Sequence, residues 1–169
     1  DDYYYYRPES MTGDVPPPPY VDMNSKAIFM RVLRKEILRC SFADFDMGEY
    51  RSDNVHGEFG EADHWETIYR QQVLEWIEAD ENEEIIRNII RVLSLQTTWQ
   101  NDQHAEDDLY TYIQDDFLND IDQVASDPSF TQDALSERLA NAGLLPMFGF
   151  PTRVRVLYTE WPFSARRLL

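Results

Sequence analysis

The chain has 169 residues, 43% of them hydrophobic, which suits one ordinary domain with its own core and is too apolar for a disordered chain. Its one cysteine, Cys40, excludes an internal disulfide framework and argues against a cysteine-based zinc site. No run approaches the roughly 18 unbroken apolar residues of a membrane helix. The opening Asp1-Asp2-Tyr3-Tyr4 lacks the basic start and apolar middle of a signal peptide. The lone thiol fits a cytoplasmic setting, and the missing initiator methionine points to a fragment or processed product.

The formal net charge of −17 is unevenly spread. Residues 42–137 hold 25 acidic and 4 basic groups, whereas the two ends together hold 7 acidic and 11 basic. The middle therefore repels nucleic acid, and only the ends attract it. Salt adaptation of a solvated surface explains such an excess more simply than a DNA-mimicking face does.

Along the chain, residues 1–22 show no helical period. Tyr3 to Tyr6 and Pro16 to Pro19 predict an extended, Tyr/Pro-rich arm. A helix follows, capped by Asn24 or Ser25, with Ile28, Val32, Leu33, Ile37 and Leu38 as its apolar stripe. Arg31, Arg34, Lys35 and Arg39 lie mostly off that stripe. Residues 46–61 carry three of the six glycines and read as a loop. Asp63 is placed to cap a second helix bearing Trp65, Ile68, Tyr69, Val73, Trp76 and Ile77, and Asp80 to Glu83 interrupts or bends the chain. Ile85, Ile86, Ile89, Ile90, Val92, Leu93 and Leu95 predict a helix apolar nearly all round and therefore central. After a polar break at Gln100 to Gln103, a fourth helix is expected from about Ala105 to Ala125. Asp127-Pro128-Ser129 stops it. A short helix capped by Thr131 ends at Gly143, which suits a left-handed position. Thr152 to Tyr158 alternates as a half-buried strand does.

The fold class that follows is mainly α: a bundle-like segment of four to five helices with an extended N-terminal arm and a short C-terminal β segment. Its parts are the arm 1–22, an acidic helical domain 23–142, and a loop-strand segment 143–169.

Catalytic signals are absent. No G-x-x-x-x-G-K-[ST] phosphate loop, no G-x-S-x-G elbow and no H-E-x-x-H pair occurs. His56, His64 and His104 lack ligand-specific spacing and read as loop or surface residues. With 32 acids in the chain, chance carboxylate pairs are inevitable. Cys40 beside Arg39 is a small packed residue rather than an activated thiol. No catalytic, cofactor or metal residue is assigned. The better signal is Arg7, Arg153, Arg155, Arg166 and Arg167, outside the acidic stretch 42–137 and near Tyr and Phe. Guanidinium forks suit phosphates and aromatics suit unstacked bases. The competing reading pairs these arginines with the chain's own carboxylates.

Three blocks, in order, resemble one family: Tyr6-Arg7-Pro8-Glu9 with Met11-Thr12-Gly13-Asp14; Val55-His56-Gly57-Glu58-Phe59-Gly60 with Trp65; and Ala142-Gly143-Leu144-Leu145-Pro146-Met147-Phe148-Gly149-Phe150-Pro151-Thr152-Arg153-Val154-Arg155. They are similar to the stretch after the second motor domain of DEAD/DEAH-type superfamily 2 helicases, closest to the helicase subunits of DISARM anti-phage systems, the DrmA group. The resemblance implies a parent that hydrolyses ATP with Mg, translocates on DNA and acts in bacterial or archaeal defence against phage. It also implies a DISARM partner subunit, DrmB, beside the parent's remaining domains. The Walker A and DExH boxes of that family are missing and would lie before Asp1, so ATPase chemistry maps to no residue here. The function expected is an accessory segment that supports the motor and guides DNA through Arg7, Thr152, Arg153 and Arg155. The alternative is a docking module that joins the helicase to a partner without touching DNA.

Overall fold

A computed structural model describes residues 23–44 and 58–147. The expected arm, much of the glycine loop, His56 and the C-terminal strand lie outside the described residues. Six α-helices make up the described part, so the mainly helical expectation holds. They are α1 (Lys26–Ala43), α2 (Arg70–Glu78), α3 (Glu83–Ser94), α4 (Gln103–Asp115), α5 (Phe117–Ala125) and α6 (Leu135–Asn141). A π-helical turn, Trp65–Tyr69, leads into α2, and a 3-10 turn, Asp80–Asn82, joins α2 to α3.

α1 starts where the Ser25 hydroxyl accepts a hydrogen bond from the Ile28 amide, satisfying one of the free donors of the first turn. Its apolar side buries Phe29, Val32, Leu33, Ile37 and Leu38, with Cys40 packed among them as a small apolar residue. α3 supplies the centre. Ile85, Ile86, Ile89, Ile90 and Leu93 are all buried, and the helix packs against α1, α2 and α4. Burying each such side chain stabilises the fold by about 1.5–3 kcal/mol before conformational entropy is subtracted. Trp65, fully buried, donates from Nε1 to the Asp122 carboxylate at 2.8 Å, and Arg70 Nε donates to the same group. This one carboxylate ties the π-turn and α2 to α5.

Several expectations are corrected. The helix expected over 105–125 is two helices, which change direction at Asp116 (φ −120°, ψ −22°). Backbone hydrogen bonds still run across the join, from the Asp116 amide to Tyr112 and from the Asp120 amide to Asp116. Asp is a weak helix former, and two in succession give the chain a place to bend. Six helices therefore stand where four or five were expected. Thr131 does not cap the last helix. α6 begins after Ala134, because the Leu135 amide donates to the Gly60 carbonyl and the Ala62 amide to the Asp133 carbonyl, forming an isolated antiparallel bridge between Glu61 and Ala134. Asp63 likewise makes no cap. The amides that follow it, His64 and Trp65, bond back to the Glu61 and Ala62 carbonyls. Leu95 lies past the end of α3 and is 52% exposed rather than buried. α3, expected to be apolar nearly all round, keeps a polar side on which Arg87 and Arg91 turn to α4.

Candidate functional site

Of the residues expected to contact DNA, Arg7, Thr152, Arg153 and Arg155 all lie outside the described residues. The structure does describe where the third block begins. α6 ends in a paired-bond motif: the Gly143 amide bonds to the Ala140 carbonyl and the Leu144 amide to Leu139. Gly143 has φ +85°, the left-handed conformation that glycine adopts without steric cost. The chain then runs over buried Leu145 and Pro146 to exposed Met147.

α1 holds this exit. Arg31 Nε donates to the Gly143 carbonyl and Arg34 Nη1 to the Leu144 carbonyl, each at 3.1 Å. Arg34 Nε also donates to the Tyr112 hydroxyl at 2.9 Å, and that hydroxyl donates on to Asp120 Oδ2 at 2.6 Å. Burial of the Tyr112 ring and its bond to the Asp120 carboxylate push the phenol up to about 12.

The same helix reaches the second block. Lys35 and Arg39 approach Glu58 at 3.9 and 3.8 Å, and Arg39 also pairs with Glu36 on its own helix. Phe59 is buried with its ring 5.1 Å from Phe42 of α1. Gly60 is required by space as well as by φ (+76°), because a Cβ there would stand 2.7 Å from the Tyr69 ring. Blocks far apart in sequence thus meet along one helix. Arg31, Arg34, Lys35 and Arg39, which lie mostly off the apolar stripe, are half-buried in those contacts.

A second polar cluster sits between α3 and α4. The buried Glu106 carboxylate accepts from Arg87 Nη1 at 2.9 Å, Arg91 Nε at 2.8 Å and Arg91 Nη2 at 3.0 Å. Glu83 and Asp107 complete the ring around Arg87, whose guanidinium stacks 4.4 Å from the Tyr110 centroid. Burial alone would raise the Glu106 carboxyl, but the hydrogen bonds from Arg91 and Arg87 outweigh it and hold the group below the ordinary glutamate value. The sequence signal was the Arg87–Arg91 spacing of four, one turn of one helix face; nothing in it pointed to Glu106.

Among the described residues no group of His, Cys, Asp or Glu is arranged to hold a metal, and no helix is long and apolar enough to cross a membrane. His64 is half-buried next to the π-turn, and exposed His104 stands 3.5 Å from Asp108. No family model, curated protein or solved structure matches the chain.

Proposed function

We propose that this chain is a non-motor accessory segment of an ATP-dependent DNA helicase of the DISARM type, and that its helical body supports the motor and helps guide DNA through arginines outside the acidic middle. The observation that carries the reading is the convergence on α1. That helix grips Glu58 of the second block and Gly143 and Leu144 of the third, and its first turn follows directly on the arm that carries the first block. Lys26, the first residue of α1, and the clamp at Arg31 are five residues apart, about 7.5 Å along a helix axis. Gly143 is therefore held near the start of α1, on a body that is itself strongly acidic. Residues 58–147 hold 21 acidic and 4 basic groups, which turns a phosphate backbone away from the helices. ATP and Mg would belong to motor domains preceding Asp1, and DNA would be met through Arg7, Thr152, Arg153 and Arg155.

The test uses the protein with all its upstream coding sequence. ATP turnover should require that upstream part and be missing from residues 1–169. Arg153→Ala with Arg155→Ala should weaken DNA binding across sequences and flatten its salt dependence by roughly one to two counterions. The acidic body favours a second reading, a docking module joined to DrmB or another partner. Normal DNA binding by the double variant, together with loss of a protein partner, would select it.

A further inference from the structure

Between the first half of α1 and α4 lies an open groove of about 390 Å³. Its floor is apolar, made by Phe29, Met30, Leu109 and Tyr112, with Trp99 as the end wall. On the far side of Trp99 a second depression of about 260 Å³ begins, lined in part by Leu95, one of the two most exposed large hydrophobic side chains among the described residues. The turn that presents Leu95 and Trp99 is held from both ends. Gln96 and Asn101 both sit at positive φ, 63° and 61°, which is uncommon for residues other than glycine. The Gln96 amide donates to the Gln100 side chain, and the Asn24 side chain accepts from the Thr98 amide, tying the turn to the start of α1. The Trp99 ring stands edge-on to Phe29 at 5.2 Å. The wall is therefore built before any ligand arrives.

Charge selects the occupant. Four carboxylates stand at the start of α4: Asp102, Glu106, Asp107 and Asp108. Glu106 and Asp107 are matched by Arg87 and Arg91 on the α3 side. Asp102 and Asp108 face the groove instead. Among the described residues Asp102 has no ion pair, and Asp108 has only exposed His104. Asp102 Oδ1 accepts from the Ala105 amide as the helix cap, which leaves its other oxygen for a ligand. Lys26 stands on the α1 wall, so the two walls differ in charge and orient a segment with one basic edge. A phosphate-bearing chain would meet two unmatched carboxylates on a body that is already strongly acidic.

We propose that this groove docks a short peptide segment of a partner protein in which apolar or aromatic side chains alternate with arginine. The apolar side chains fill the floor against Trp99, and the guanidiniums reach Asp102 and Asp108 as charge-assisted pairs. The assignment goes beyond the helicase reading and does not depend on it.

The test is fluorescence anisotropy with the full 169-residue chain. The probe is a labelled synthetic peptide of about twelve residues, leucine and tryptophan alternating with arginine, a length sized to an aromatic-lined groove. The control peptide carries glutamate in place of every arginine. The arginine peptide should bind saturably and the glutamate peptide should not. Asp102→Asn with Asp108→Asn keeps the cap and removes both charges, and should weaken binding on the order of tenfold. Asp115→Asn with Asp116→Asn, the same change of charge outside the groove, should leave binding as it was. Trp99→Ala should weaken it roughly thirtyfold or more, with circular dichroism confirming the helices. The asparagine pairs alter exposed side chains, so they read out binding even if Trp99→Ala loosens the turn. Equal weakening by the two pairs, competition by oligothymidylate, or no binding of the arginine peptide would each overturn the assignment.

Discussion

Replacing Glu106 with alanine removes the acceptor shared by Arg87 and Arg91. Three charge-assisted hydrogen bonds disappear, and breaking a fully buried pair from one side costs about 3–5 kcal/mol. That figure must be reduced here. The Arg91 side chain is 46% exposed and can turn to water, and Arg87 keeps Glu83 and Asp107. A cost of about 2–3 kcal/mol follows, and Glu106→Gln, which retains one acceptor oxygen, should cost about half as much. Urea unfolding followed by circular dichroism measures both, with an unchanged m-value required for the comparison. Asp107→Ala serves as the control, since its side chain is exposed and its removal should hardly shift the midpoint. The pH dependence is fixed in sign. The folded Glu106 carboxyl lies below its ordinary value of 4.5, so the charge contributes fully above that pH and its contribution is lost as pH falls through the lowered folded value. The gap between wild type and Glu106→Gln should therefore close in acid. A Glu106→Ala midpoint equal to wild type at pH 7, or a gap that stays constant down to strong acid, would refute the reasoning.

Three further outcomes are expected. Gly60→Ala should destabilise by about 3 kcal/mol or more, from strain at positive φ plus collision with the buried Tyr69 ring. Gly143→Ala, with φ equally positive but only an ordinary contact to Arg31, should cost about 1 kcal/mol, so equal melting shifts for the two would contradict this account. Ile89→Asp places an unpaired carboxylate at a fully buried position and should abolish the folding transition; a cooperative melt near the wild-type temperature would show that α3 is not the core. The neutral Tyr112 phenol is favoured in the fold, so its contribution is present below about pH 10 and lost as pH climbs towards 12. Alkaline titration of stability should show that loss in wild type and less of it in Tyr112→Phe.

Which helices exist was legible wherever apolar spacing ran long. The stripe of α1 and the isoleucine pairs of α3 are visible in the sequence, and all of these side chains but Ile28 are buried. Boundaries were less legible where a distant partner decides them. Nothing local announces that the Gly60 carbonyl, 75 residues before Leu135 in the numbering, replaces Thr131 at the start of α6. A bend at Asp116 is equally hidden inside a stretch whose apolar period continues through it. For the candidate site, the sequence set Arg31 and Arg34 off the apolar stripe without showing what they bind, because their acceptors are backbone carbonyls more than 100 residues away. Carbonyls leave no trace in residue identity. Trp99, just before the polar break at Gln100 to Gln103, was passed over, since one aromatic side chain without a period carries no helical signal.

The placement of charge explains why a basic helix sits inside so acidic a body. α1 carries five of the chain's basic residues against one acid. Lys35 and Arg39 meet Glu58, and Arg31 and Arg34 are spent on carbonyls and a phenol rather than on carboxylates. A guanidinium bound to neutral acceptors keeps its full positive charge, so the flank of α1 under Gly143 and Leu144 stays positive while the outer faces of α4 and α5 stay negative. Charge is therefore unevenly placed on the body, with basic residues gathered on α1 beneath Gly143 and Leu144. On the proposed readings a polyanion would be drawn to that flank, whereas a basic peptide would meet Asp102 and Asp108 at the start of α4.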